Sequence, residues 1–266
     1  MRALSLLLHD VFERDPSESG FSGPAADRYK LSVRELDAQL RGLSSVRRDA
    51  PILVPRRWPG RGTDTPFLLT VDDGGVSFYT RVADRLEALG WRAHCFVTTS
   101  CVGRAGFLDV RQIRELHRRG HVIGTHSVSH PTRFSACGWD EMVREWTESR
   151  RVLTDLLGED VTVGSVPGGY FSPTVAAAAR EAGLSVLFTS EPTTRVWTVC
   201  GCLVLGRFSL RRGHRPDFAA RLGGMRTSTL WREWLVWNAK KRAKALLGSI
   251  YPRVTAGARP HAELAR

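Results

Sequence analysis

Phe67-Leu68-Leu69-Thr70-Val71-Asp72-Asp73-Gly74-Gly75 joins an uncharged apolar run to two adjacent carboxylates and two glycines. The run suits a short strand buried on both faces, the kind found in parallel sheets covered by helices. The two acids stand where strand gives way to loop, which is where α/β architectures gather functional groups. Two ionised carboxylates do not share a dry pocket unless a cation holds one of them. A turn whose acids cap a helix starting near Ser77 is the competing explanation of these residues taken alone.

Downstream, strand and helix patterns alternate. Residues 77–89 carry Val82, Leu86 and Leu89 on one helical stripe, and residues 93–98 form a strand pattern. Residues 109–119 suit a helix capped by Asp109 and closed by Gly120, followed by a strand over 121–124. A long helix is expected over 139–157, ended by Gly158, then a strand over 161–166, a helix over 173–182 and a strand over 184–189. This alternation predicts parallel strands with helices outside, as an open sheet or a barrel. Upstream, Leu4 to Leu8 reads as a buried first strand, residues 10–30 as a surface loop, and residues 31–43 as a helix capped by Ser32. Residues 51–66 form an irregular connector.

At 266 residues, 42% apolar and 25% charged, the chain has the composition of an ordinary globular protein with a substantial core. The net charge is +12, mostly from arginine, consistent either with a biased composition or with an anionic partner. Nucleic-acid binding is not expected, because no recognition module is visible and the basic residues are scattered. The five cysteines (Cys95, Cys101, Cys137, Cys200, Cys202) lack zinc-finger spacing and suit a reducing compartment, with Cys200 and Cys202 serving packing. No run approaches the roughly 20 apolar residues of a membrane span. The apolar opening is short and lacks a cleavage site, so a cytoplasmic, membrane-peripheral at most, location is expected.

The last fifty residues differ. Leu230, Trp231, Trp234, Leu235 and Trp237 share one helical arc, followed by Lys240-Lys241-Arg242 and Lys244. Such a basic helix could lie on an anionic membrane surface. Docking of the tryptophans on the barrel wall is the preferred expectation, because Lys241 and Arg242 intrude on the arc.

His126-Ser127-Val128-Ser129-His130-Pro131 follows another strand end. Neutral imidazole is the commonest side-chain metal ligand, and two four apart can meet one ion if the intervening turn is helical. Joined to one aspartate, they make a two-imidazole, one-carboxylate set that leaves positions open on zinc or a similar divalent ion. Pro167-Gly168-Gly169-Tyr170 follows a third strand.

These residues resemble the polysaccharide deacetylases with a NodB homology domain, carbohydrate esterase family 4. The family's Thr-Phe-Asp-Asp-Gly appears as Thr70-Val71-Asp72-Asp73-Gly74, and its His-Ser/Thr-x-x-His-Pro as His126 to Pro131. The resemblance spans about Phe67 to Arg215. It implies an α/β fold, a distorted (β/α)7-type barrel. Residues 66–215 would form the NodB-like domain, residues 1–65 a strand, helix and loops completing the barrel, and residues 216–266 a basic helical tail. It also implies hydrolysis of an N-acetyl or O-acetyl group on a sugar or polysaccharide precursor. By carry-over, Asp72 is similar to the general base, and Asp73, His126 and His130 to the ligands of one divalent ion, Zn2+ first and Co2+ or a similar ion next. The loop from Pro167 to Tyr170 resembles the one that supplies a backbone donor to the oxyanion.

Two departures bear on the chemistry. Ser165 occupies the place of the Arg that begins the third motif and orients the base. The late Leu-x-His motif, source of the general acid, is not recognisable in Leu205-Gly206-Arg207-Phe208-Ser209-Leu210. His9, His94 and Glu191 are the candidate acids, with His214 a weaker one. A catalytically impaired relative that binds acetylated carbohydrate is the alternative to an enzyme.

Overall fold

The computed structural model describes residues 1–55 and 65–247. In chain order the strands are β1 (Leu4–Leu8), β2 (Val11–Phe12), β3 (Leu31–Ser32), β4 (Phe67–Val71), β5 (His94–Val97), β6 (Val122–Thr125), β7 (Val163–Ser165), β8 (Val186–Phe188), β9 (Val196–Val199), β10 (Cys202–Leu205) and β11 (Phe208–Ser209). The helices are α1 (Pro24–Asp27), α2 (Val33–Val46), α3 (Ala83–Ala88), α4 (Val110–Arg118), α5 (Trp139–Leu157), α6 (Pro173–Glu181), α7 (Phe218–Gly223) and α8 (Thr227–Leu247).

One nine-stranded sheet, in the order β11-β1-β4-β5-β6-β7-β8-β10-β9, curls into a half-barrel, while β2 and β3 form a separate parallel pair. Eight neighbouring strands of the large sheet are parallel, and β9 alone runs antiparallel, against β10. The α/β expectation therefore holds, with one more parallel strand than a seven-stranded barrel. The hydrophobic runs explain the order. β1 and β4 are buried at every position and pair in register, Leu6 opposite Leu69. Alternate residues then serve two cores. Leu68, Phe96, Val163 and Phe188 pack together in one cluster, whereas Leu69, Val71, Cys95 and Val97 pack with residues of α2, α3 and α4 in another. Gly124 in β6 has no side chain for a packing reason, since a Cβ there would lie 2.6 Å from the Phe96 ring.

Caps fix the helix starts as the sequence predicts: Ser32 with Glu35 at α2, and Asp109 with Gln112 at α4, each close a reciprocal pair of bonds. Gly158 ends α5 in the left-handed region at φ 72°.

Four details differ from expectation. Residues 10–30 are not simply a surface loop, because Asp10, Ser19 and Lys30 are buried. The segment after Ser77 begins with a π-helical turn, Phe78–Val82, before α3. Cys200 and Gly201 turn the β9–β10 hairpin, both with positive φ, so Cys200 is exposed and only Cys202 packs. Finally, the tryptophans of α8 do not all dock: Trp231 is 62% and Trp234 43% exposed, and Leu235 and Val236 are each 38% exposed. Among the described residues, the first turn of α8 packs on the core through Leu230. No described helix is long and apolar enough to cross a membrane.

Candidate active site

The C-terminal ends of β4 and β6 bring three potential metal ligands together. One ligand atom each from Asp73, His126 and His130 lies within 4.8 Å of the others. Asp73 Oδ1 stands 3.4 Å from His126 Nε2 and 3.6 Å from His130 Nε2. Donor atoms held at zinc's usual bond lengths stand about 3.3 Å apart in tetrahedral geometry, close to both carboxylate–imidazole distances, and the two imidazoles lie within 4.8 Å of each other.

Tautomers agree. His126 Nδ1 lies 2.8 Å from the Ser165 carbonyl oxygen. Nδ1–H donates to that carbonyl, leaving Nε2 to face Asp73. Burial would lower His126, and the two aspartates more than reverse this, raising it above its ordinary value. An ion in the site would displace the Nε2 proton. Burial, then the charge of His126, pushes His130 down to about 4, which keeps it a neutral ligand. Burial alone would raise the Asp73 carboxyl, but the three imidazoles of His126, His9 and His130 outweigh it and hold it far below the usual carboxylate range.

The backbone is strained to make this arrangement. Asp73, Ser127 and His130 all have left-handed φ, at 77°, 66° and 55°, which side-chain-bearing residues seldom adopt. The strain is held from α5. The Glu145 carboxylate accepts the amides of Val128 and Ser129, both at 2.9 Å, and the Ser129 hydroxyl at 2.8 Å. One helical turn on, the Ser149 hydroxyl meets Thr125 Oγ1 at 2.5 Å, and the same Thr125 oxygen accepts the Ser127 amide. Neither Glu145 nor Ser149 was singled out by sequence, although a polar pair four apart among the buried Met142, Trp146 and Leu153 is a visible signal.

Asp72 lies beside the cluster, its Oδ2 3.9 Å from His126 Nε2. Its orienting partner comes from the far end of the chain. Fully buried Arg207, just beyond β10, donates Nη1 to Asp72 Oδ1 at 2.7 Å and Nη2 to Oδ2 at 2.8 Å. Ser165 fills the remaining gap, donating to Asp72 Oδ2 at 3.0 Å and accepting Arg207 Nη2 at 2.8 Å. Burial would raise the Asp72 carboxyl, and the Arg207 and His126 charges more than reverse this, so it is held below its ordinary value.

Comparison with known proteins bears on this geometry. Residues 60–187 match the family model described as polysaccharide deacetylase. That match covers just under half of the chain, which over those residues is similar to the polysaccharide deacetylase family. YxkH of Bacillus subtilis, named for the same family, is 24% identical over 125 residues, 47% of this chain and 44% of its own length. The chain thus spans less than half the length of that curated relative. Among solved structures, IcaB from Ammonifex degensii aligns with a TM-score of 0.65 at 22% identity, covering 84% of this chain and 97% of that one. The Streptococcus pyogenes deacetylase PplD aligns at 0.63 with 21% identity, covering 82% and 96%. At such identities these structures establish the shared fold.

Within the deacetylase fold the candidate acids separate. His9 directly follows β1, is sensitive to the charges of Asp73, Asp72, Arg207 and His126, and packs on Tyr29 with ring centroids 5.0 Å apart. Its Nδ1 is buried with no hydrogen-bond partner among the described residues. Burial lowers its basicity more than the two carboxylates restore it. His94 starts β5 rather than ending it. Its Nε2 lies 3.0 Å from both the amide and the carbonyl of Val54, in the core beside Phe96 and Phe188. Glu191 follows β8, and its carbonyl accepts the Arg207 amide at 2.8 Å, a backbone role. His214 stacks on Phe218, with centroids 4.0 Å apart. In the Pro167–Tyr170 loop, Pro167 has no N–H and the Gly169 amide bonds Val166, so neither supplies the expected oxyanion donor.

Proposed function

We propose that the protein hydrolyses an acetyl group, N-acetyl before O-acetyl, on a sugar of a saccharide, using one divalent ion, zinc before cobalt. The observation that carries this is the convergence of Asp73, His126 and His130 beside a clamped Asp72. A divalent ion in that donor set supplies Lewis acidity, polarising the acetyl carbonyl and making water easier to deprotonate.

The chain's own residues account for the proton traffic. Asp72 accepts the proton of the attacking water as its oxygen adds to the acetyl carbon. Arg207 and Ser165 hold that carboxylate in one plane, so no reorganisation is needed as the bond forms. When the tetrahedral carbon collapses, the bond to the sugar nitrogen breaks and His9 gives that nitrogen a proton. Acetate and a free amine are the products. His9 suits this role because its Nδ1 is buried and unpartnered among the described residues and the ring is influenced electrostatically by both aspartates. Its lowered basicity makes the imidazolium a strong acid once protonated.

His126→Ala is expected to lose both the ion and turnover of an acetylated amino-sugar oligomer. His9→Gln is expected to keep about one ion per chain and lose turnover by roughly a hundredfold or more. Full activity in His126→Ala would overturn the metal reading, and full activity in His9→Gln would reassign the acid. A metal-loaded wild type that binds acetylated oligomers without cleaving any would favour the carbohydrate-binding alternative.

A further inference from the structure

The described part of α8 outruns the domain it starts from. Leu230 packs on the core, and Glu233 pairs with Arg211 at 3.2 Å. Arg211 lies two residues beyond β11, whose Ser209 pairs with Leu7 of β1, so it belongs to the end of the sheet from which His9, Asp72 and Asp73 also emerge. The preceding α7 runs alongside α2, with Gly223 against Leu43 and Val46 and Ala219 bonded to Gln39. Since α2 runs from β3 towards Phe67 at the start of β4, where Arg47 covers that ring, α7 points away from the cleft and α8 returns towards it. At about 1.5 Å per residue, Arg242 stands roughly 13 Å along the axis beyond Glu233. The described end of α8 therefore points towards the cleft end of the half-barrel.

The exposed side of α8 around the Glu233 contact concentrates apolar surface. Trp231, Trp234, Leu235 and Val236 are four of the ten large apolar residues that stand exposed among the described residues, within six positions. Lys241 follows Trp234, and Arg242 follows Leu235, by seven residues each, on the same face and exposed. Tryptophan favours the boundary between headgroups and acyl chains, and long basic side chains on an apolar face extend their charges to acidic headgroups. A second copy of this chain is a poor occupant, since pairing would oppose the same cations, Arg232, Lys241 and Arg242, across the interface.

We propose that the exposed end of α8 seats on an anionic lipid bilayer and turns the cleft towards a saccharide anchored in that bilayer, the second half resting on the hydrolase reading above. The test uses the full chain with vesicles of phosphatidylcholine, alone or with about a third phosphatidylglycerol. Co-sedimentation is expected on the anionic vesicles, at least about tenfold weaker on the neutral ones, and reversed by high salt. Trp231→Ser with Trp234→Ser, and separately Lys241→Glu with Arg242→Glu, should each cut association about tenfold, while turnover of a soluble acetylated oligomer is unchanged. Absent binding, equal binding to neutral vesicles, or binding unaffected by both variants would overturn docking. So would a dimer, seen by light scattering, that the tryptophan variant dissociates. Because the soluble substrate reports on the cleft separately, docking and hydrolysis can fail independently.

Discussion

Asp72 and Arg207 are separated by 135 residues in the chain and meet through two parallel bonds of 2.7 and 2.8 Å. The guanidinium also donates Nε to the Thr189 carbonyl at 2.9 Å and lies beside the Phe96 and Phe188 rings, so its plane is fixed on several sides. A forked donor on a buried carboxylate fixes orientation as well as charge. The orienting arginine that the third motif lacks is thus supplied from the late segment, and the small Ser165 side chain leaves it room.

Arg207→Lys keeps the charge but cannot meet both carboxylate oxygens. Turnover should fall by about a hundredfold with the metal content unchanged, because Asp72 is not a ligand of the proposed ion. The acid limb of the pH–rate profile should also move to higher pH, since burial pushes the Asp72 carboxyl up and the fork opposing it is weakened. Arg207→Ala leaves a buried charge unpaired and should cost about 3–5 kcal/mol of stability, read by denaturant unfolding. Wild-type kinetics in Arg207→Lys would show that the second bond is dispensable.

How much of this was legible in the sequence depends on locality. Asp72, Asp73, His126 and His130 sit in two short runs at strand ends, so order and spacing exposed them. The Arg207 role is non-local: its partners Asp72, Ser165 and Thr189 come from three other strand ends, and Leu205-Gly206-Arg207 looked only like a motif without its histidine. The two departures, a small residue where a large cation is usual and a large cation where a histidine is usual, meet in space, Arg207 donating to Ser165 at 2.8 Å. The hairpin turn was hidden because Cys200 is no turn former, yet it adopts φ 49°. The exposure of α8 could not be read from its arc, since an apolar face does not state what covers it.

Glu145→Gln tests whether α5 holds the ligand loop. The amide keeps one acceptor oxygen where the carboxylate offers two, so at least one of the bonds from Val128, Ser129 and the Ser129 hydroxyl weakens. The left-handed His130 should then relax, and affinity for the ion should fall by about tenfold in a competition titration with a chelator. Secondary structure should remain. Unchanged affinity would assign Glu145 to packing alone.

Asp10 gives the apoprotein a pH dependence of its own. Its carboxylate lies between Gly20 and Gly75, where a Cβ would collide with it, and accepts the Ser19 and Ser77 hydroxyls at 2.6 and 2.9 Å. Burial, with the charge of Asp73, raises it from 3.8 to about 6. A carboxyl raised on folding stabilises the fold at low pH, and that stabilisation is lost as pH rises through the folded value. Between pH 4.5 and 7.5 the loss amounts to about 2 kcal/mol. Asp10→Asn cannot ionise, so its stability relative to wild type should improve by that amount across the window, measured on chelator-treated protein by urea unfolding. A cation bound at Asp73 offsets the neighbouring charge, so adding the ion should shrink the difference. A gap that is constant with pH would place the Asp10 proton elsewhere.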